Sequence, residues 1–347
     1  MSNLLQMRKQ FEWSAQERRM RLVQWRRGIL PSWFYFDVTG VQGPLPVPAW
    51  PVPAAPAHFI VPYHGGERDD GLGTPFEARY IMYTAGSVPG ATAAANMWVR
   101  LTDPGSARYL MNRWIHIRNL AGTAQLPFRL REPLFIPSRR SVLVEVQGLD
   151  LEQTTLRMYL FGARYFPWAP EVPNDGAEVK ALVRRWLNRR QYVVPYWLTT
   201  DDDDVHLAGN GTTTAWCKNG DEAHLELFGI TAVSLAGTGF GLDVTEAETG
   251  NTLANGQFTD ANAVGTGTLP YLFPVPYLLP AGYRLKVIVT DLGGRENIVK
   301  LAFFGRRIYA PLRQVQQVLK DTVVSTPADV LDESVPPAAW LQAAGTR

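Results

Sequence analysis

The sequence predicts an all-β protein: two tandem, duplicated antiparallel β-sandwiches, jelly-roll-like, each preceded by a short helix, with extended N- and C-terminal arms. Three observations carry that expectation. The chain repeats itself without a gap, apolar residues alternate with period two inside the repeats, and Pro, Gly, Asp and Ser clusters punctuate the alternating runs. Its 347 residues exceed one ordinary core and suit two.

Residues 1–30 are expected to form an N-terminal arm and helix. Ser14 followed by Glu17 makes a capping box, Leu22 and Trp25 share a helical face, and Gly28 and Pro31 end the segment. Arg8, Lys9, Arg18, Arg19, Arg21, Arg26 and Arg27 stand against only Glu12 and Glu17. Of these, Arg18, Arg19, Arg26 and Arg27, with Trp25, are contact candidates for an acidic neighbour; the same charges also suit a solvated surface.

Residues 31–170 are assigned to the first sandwich and 171–310 to the second, displaced by 143 residues. Residues 126–166 align on 269–309 without a gap, with identities at Leu126/Leu269, Pro127/Pro270, Pro133/Pro276, Pro137/Pro280, Val144/Val287, Val146/Val289, Leu149/Leu292, Phe161/Phe304, Gly162/Gly305 and Arg164/Arg307. The same displacement pairs Met97 with Phe240 and Asn112 with Asn255, and a two-residue slip then pairs Glu77-Ala78 with Glu222-Ala223. A second lead-in helix is expected behind Asp175 and Glu178, through Val183 and Trp186.

Val142, Val144 and Val146 face one side of a strand, as do Leu285, Val287 and Val289 in the echo. Segments 78–84, 97–102 and 156–166, with 223–229, 240–245 and 299–309, are equally strand-like. Pro133 and Pro137 bracket Leu134-Phe135-Ile136, and Pro276 and Pro280 bracket Tyr277-Leu278-Leu279. Proline donates no ladder hydrogen bond, so these runs are edge strands or extended straps. The turn that follows differs between copies: Arg139-Arg140 in the first, Gly282-Tyr283 in the second, so Arg139, Arg140 and Tyr283 are candidate contacts to different neighbours. Residues 44–56, PLPVPAWPVPAAP, favour polyproline II as a surface strap or an exposed ligand segment. Residues 311–347 read as a C-terminal helix, 311–321, and an extended acidic tail anchored by Trp340.

Net charge is +2, so the whole molecule offers no electrostatic argument for nucleic acid or membrane, and neither partner is expected. The lone Cys217 excludes an intrachain disulfide and reads as a small buried hydrophobe. No secretory signal or apolar run near membrane length is expected.

Catalytic patterns are missing: His58, His64, His116, His206 and His224 have no zinc-site spacing, and no nucleophile elbow, P-loop or dinucleotide fingerprint occurs. Neither catalysis nor a metal or cofactor is expected. Thr199–Gly211, TTDDDDVHLAGNG, offers Asp201, Asp202, Asp203 and Asp204 as an exposed acidic loop, a dock for a basic partner or a hard-cation site without calcium-loop spacing. The polar loop 64–70 reads as mobile.

The pattern L-P-x(5)-P-x(3)-P, a polar turn, V-x-V and F-G-x-R is carried as LPFRLREPLFIPSRRSVLVEVQGLD…YLFGARYF and as LPYLFPVPYLLPAGYRLKVIVTDLG…AFFGRRIY. It resembles virion structural proteins of tailed bacteriophages over about the last 40 residues of each repeat. That resemblance implies a non-enzymatic subunit on the capsid surface as decoration, or at the head-to-tail neck or collar. Its partners would be capsid, portal or neck subunits and other copies of itself, in a virion assembled in the host cytoplasm. The alternative is a tandem carbohydrate-binding module stacking sugars on Trp98, Trp114, Trp168 or Trp197; a phage-type hydrolase with an opposed carboxylate pair is a third reading.

Overall fold

The strands fall into two halves with one winding. The computed structural model describes residues 29–41, 57–60, 75–87, 96–103, 108–137, 140–148, 154–165, 193–202, 204–254 and 256–309, plus three exposed helical positions, Ala181, Arg184 and Asn188. The expected N-terminal helix, polyproline segment, loop 64–70 and C-terminal segment 311–347 lie outside these residues.

The first half runs β1 (Ile29–Val41), β2 (Ala57–Ile60), β3 (Phe76–Ser87), β4 (Met97–Asp103), β5 (Arg108–Tyr109), β6 (Ile115–His116), α1 (Ile117–Leu120), β7 (Phe128–Ile136), β8 (Ser141–Gly148) and β9 (Thr154–Tyr165). The second runs β10 (Val193–Thr199), β11 (Val205–Leu207), β12 (Thr212–Lys218), β13 (His224–Ser234), β14 (Phe240–Glu246), β15 (Phe258–Thr259), α2 (Asp260–Ala263), β16 (Tyr271–Leu279), β17 (Arg284–Asp291) and β18 (Asn297–Ile308). The first half forms sheets ordered β1-β9-β3-β7 and β2-β8-β4-β5; the second forms β10-β18-β13-β16 and β12-β17-β14-β15. With β6, which pairs β4 as β15 pairs β14, taken as the counterpart of β15, the strand order is the same in both halves, and it is that of a jelly roll.

The period-two reading holds in the strands that face each core. Val142, Val144 and Val146 in β8 are at most 2% exposed, and Leu285, Val287 and Val289 in β17 are fully buried. The proline-framed runs are edge strands: β7 and β16 each end a sheet, where a missing N–H breaks no ladder. Cys217 is fully buried in the second core, and burial pushes its thiol well above the usual range.

Two expectations are corrected. Pro31 is not a helix-closing residue: it lies inside β1, opposite Ala163, as Pro195 lies inside β10, opposite Arg306. Both strands sit at a sheet edge, so an imino residue is tolerated there. The strand starts at Ile29, inside the segment assigned to the N-terminal arm. The two-residue slip is also wrong. Glu77 opposes Ala163 and Glu226 opposes Arg306, so Glu77 corresponds to Glu226, 149 residues on, whereas Met97 and Phe240 are 143 apart. The first copy therefore carries six more residues between β3 and β4 than the second carries between β13 and β14.

The repeated F-G has a steric cause. A bulge interrupts β3 between Ala78 and Tyr80, and its counterpart interrupts β13 between Leu227 and Gly229. Opposite each bulge the backbones close in so far that a Cβ on Gly162 would overlap the Glu77 carbonyl oxygen, and one on Gly305 the Glu226 carbonyl oxygen. A Gly305→Ala substitution is expected to lower unfolding free energy by about 3 kcal/mol. Gly256→Ala, where a Cβ meets nothing within 4 Å, is expected to leave denaturant unfolding unchanged.

Candidate assembly interface

Among the described residues a buried contact joins the two sandwiches. It forms where the corner of the first half, from β5 through α1 to β7, meets the β10-β18-β13 sheet. Leu110–Asn112 runs beside β10: Trp197 N donates to Leu110 O at 3.0 Å and Asn112 N to Trp197 O at 3.3 Å. The Asn112 amide then clamps the strand, donating to Thr199 O at 2.9 Å and accepting from Thr199 N at 2.8 Å.

Next along the corner, α1 inserts its C-terminal turn. Asn119, 1% exposed, donates to Lys300 O at 2.8 Å, and Gly267 N donates to Arg118 O at 2.6 Å. Gly267 is glycine for a reason, since a Cβ there would overlap the Ala121 carbonyl oxygen. Phe128, at the start of β7, packs edge-on against Phe304 at 5.2 Å and beside Trp197 at 6.1 Å. As a result Val194, Trp197, Ala302 and Phe304 of the second half belong to the hydrophobic core of the first. A fully buried side chain of this size contributes roughly 1.5–3 kcal/mol.

Charge is buried here too. Lys300, 2% exposed in the middle of an apolar strand, lies 3.7 Å from the Trp98 ring centre and pairs with Asp204. Arg306 reaches Glu132 across the contact at 3.2 Å while also pairing with Glu226. Arg108 covers the Tyr309 ring at 4.1 Å. His116 caps α1: its Nδ1 accepts from Arg118 N at 3.4 Å, which leaves Nε2 to donate to Asn96 Oδ1 at 3.1 Å. Burial, then the Lys300 and Arg118 charges, hold its pKa down at about 3.

The structure separates the residues singled out by sequence. Asp204 is drawn into the contact, Asp202 is exposed, Asp201 lines a cavity, and Asp203 is outside the described residues. Tyr283 is half-buried and packs on the second core; Arg140 is exposed. Arg18, Arg19, Trp25, Arg26, Arg27, Arg139 and Trp340 are outside the described residues. Sequence reasoning missed Asn112, Asn119, Glu132, Lys300 and Arg306. One signal was available, a lysine between the apolar runs of β18.

Of the tryptophans considered for sugars, Trp98 lies under Lys300 at 7% exposure and Trp197 is in the contact at 2%. Trp114 is half-buried and Trp168 is outside the described residues. A cavity of about 500 Å³ lies elsewhere on the second half, lined by Asp201, Trp216, Lys218, Asp221, Glu248, Gly282 and Arg284. Its Arg284 is paired with Glu248 at 3.1 Å. Among the described residues no group of three or more His, Cys, Asp or Glu could hold a metal ion, and no helix is long and apolar enough to cross a membrane.

No protein family matches the chain, and no curated protein does. Among solved structures, a chain from the atomic structure of Sulfolobus Turreted Icosahedral Virus is similar over 84% of this chain and 95% of its own, at 9% identity and TM-score 0.37. A chain of the infectious bursal disease virus VP2 subviral particle is similar over 81% and 72%, at 12% identity and TM-score 0.20. The N-terminal CBM22-1-CBM22-2 tandem domain of Paenibacillus barcinonensis Xyn10C is similar over 81% and 91%, at 10% identity and TM-score 0.16. At TM-scores this low none of these likenesses carries a functional argument.

Two outcomes are expected from the buried charges. Asp204→Asn removes the carboxylate that faces the buried Lys300 ammonium and is expected to cost about 3 kcal/mol in denaturant unfolding, with Asp202→Asn neutral. His116 binds a proton near pH 6.5 when unfolded but only near 3 when folded, so the unfolded state holds more protons between those values. Its contribution is complete above pH 6.5 and is lost as pH falls, by at most about 1.4 kcal/mol per unit. His116→Gln should flatten that part of the pH–stability curve.

Proposed function

We propose that this chain is a non-enzymatic structural subunit of a virus particle, in the shell or at the head-to-tail neck of a tailed phage. The observation that carries this reading is the docking of two identically wound jelly rolls through a buried, hydrogen-bonded contact. Jelly rolls serve both viral shells and sugar-binding domains, so the winding alone is an analogy and does not choose between them. The joint does favour one. A sugar binder needs two open faces and can hang its modules on a linker, whereas a shell subunit must hold its two lobes in fixed relation to its neighbours.

The carbohydrate reading keeps one supporting observation, Trp216 at 37% exposure on the rim of the charged cavity. Two of its four original tryptophans are spent inside the molecule. The subunit reading assigns the basic N-terminal segment and the C-terminal tail to neighbouring subunits, where segments that order on binding cover large areas.

Particles banded from the source culture should contain the chain at stoichiometric level by mass spectrometry and at a regular position by cryo-electron microscopy. Deleting residues 1–28, which stops short of β1, or 322–347 is expected to leave thermal unfolding near wild type while removing the chain from particles. Absence of the full chain from every particle fraction, with glycan-array binding lost on Trp216→Ala, would transfer the assignment to a sugar-binding protein.

A further inference from the structure

Strand β12 alternates between core and surface. Ala215 and Cys217 are at most 4% exposed in the second core, so Trp216 and Lys218 point outward, and Trp216 is 37% exposed. The strand is a sheet edge, and Asp201, just past β10, is held against it by donating its N–H to Trp216 O at 2.6 Å. Across the ladder Lys218 stands opposite Arg284. The Arg284 guanidinium lies 5.3 Å from the Trp216 ring centre, and Glu248 fixes it there: Arg284 N donates to Oε2 at 2.9 Å and Nε to Oε1 at 3.1 Å.

The turns that close this cavity are stitched together from inside. Asn219, fully buried, donates its side-chain amide to Ala223 O and to Pro280 O, each at 2.9 Å, and Gly282 N donates to Gly220 O at 3.1 Å. Gly282 has φ 78°, and a Cβ there would lie 2.8 Å from Asp221 Oδ1, so that carboxylate sits against bare backbone. The cavity of about 500 Å³ therefore has walls set by backbone bonds. Its size falls within the roughly 300–1,000 Å³ of small-ligand sites.

The winding does not require these side chains. Val144 and Val287 are counterparts, and register from them places His58, Ile60 and Ser141 in the first half where Trp216, Lys218 and Arg284 stand in the second. The first jelly roll pairs the same two strands without the indole and without either cation.

Three carboxylates, Asp201, Asp221 and Glu248, face two cations, Lys218 and Arg284. Glu248 and Arg284 spend their charges on each other. Among the described residues the side chains of Asp201, Asp221 and Lys218 make no ion pair or hydrogen bond. What stays open is a flat apolar ring beside two acceptor-only groups and one donor. A pyranose has the matching surfaces: an apolar C–H face for the indole, and a rim of hydroxyls that donate to carboxylates and accept from an ammonium. An anionic sugar would bring its charge to two open carboxylates and one ammonium, so the site selects a neutral one.

We propose that this cavity binds a neutral pyranose, stacked on Trp216 and held through its hydroxyls by Asp201, Asp221 and Lys218. The site adds a ligand to the structural-subunit reading and does not depend on it. A free monosaccharide and the terminal ring of a glycan chain share this chemistry.

Calorimetric titration of the full-length chain with methyl glycosides of neutral hexoses reads the free sugar, and a glycan array reads the chain end. A neutral sugar is expected to bind in at least one arm. Trp216→Ala should weaken that binding at least about tenfold, while Trp216→Tyr, which keeps an aromatic platform, should retain most of it. Asp221 is exposed, so Asp221→Asn should weaken binding with thermal unfolding unchanged, which separates loss of the site from loss of the fold. Absence of neutral-sugar binding in both arms, binding indifferent to Trp216→Ala, or tighter binding of a uronate or sialic acid than of any neutral sugar overturns the proposal. A particle-borne chain that binds no sugar removes this inference and keeps the subunit reading, whereas a sugar-binding chain absent from particles does the reverse.

Discussion

Lys300 is the group on which the rest of the arrangement depends. An ammonium taken out of water costs several kcal/mol unless other groups replace the water. Here the replacements come from both halves: the Trp98 ring from the first, the Asp204 carboxylate from the second, while Asn119 of the first half holds the backbone carbonyl of the same residue. Separating the halves would strip the lysine of its ring, Asn119 of its acceptor and Phe128 of both Phe304 and Trp197 at once. The joint is therefore close to all-or-none, and the two jelly rolls act as one body.

That joint explains why two copies of one winding carry different surfaces. The β10-β18-β13 sheet holds Trp197 and Phe304 at 2% and 3% exposure because the neighbouring corner supplies the missing side of a core. The acidic run 201–204, which reads as a solvated loop, has one member pulled in by the lysine. His116 is held neutral first by its burial and then by the Lys300 and Arg118 charges beside it. Each departure from simple patterning traces to a group buried by the other half.

Much of the fold was legible in the sequence because its signals are local. Alternation marks β8 and β17, paired prolines mark the edge strands β7 and β16, and a glycine at each bulge is enforced by the opposing backbone. The outer strands were not legible. β1 and β10 carry mixed aromatic, proline and aliphatic residues without a period of two, because β10 is covered on both faces and all seven of its residues are buried. The Pro-x-Trp shared by the two strands, Pro31-Ser32-Trp33 and Pro195-Tyr196-Trp197, falls at a different displacement from the rest of the repeat and was passed over. The joint was harder still to read. Asn112, Asn119 and Glu132 look like ordinary polar residues until a second body is placed against them.

What the copies keep and what they change separate two kinds of constraint. Gly162/Gly305 and Gly122/Gly265 are kept where a Cβ would overlap a backbone oxygen, and both pairs serve the inside of a single jelly roll. The corner follows a different rule. Ile-Arg-Asn-Leu of α1 has become Asp-Ala-Asn-Ala in α2, so the asparagine alone survives, although Asn262 is exposed where Asn119 bonds across the joint. On the adjoining strand Glu132 has become Val275 and the exposed Arg129 has become the exposed Leu272. A strand left merely idle at a sheet edge after duplication would be expected to drift toward charge and polarity. This one has shed both of those charges and holds Leu272, Val275 and Leu278 in the open. Selection for solubility alone does not move a surface in that direction; selection to meet another apolar surface does.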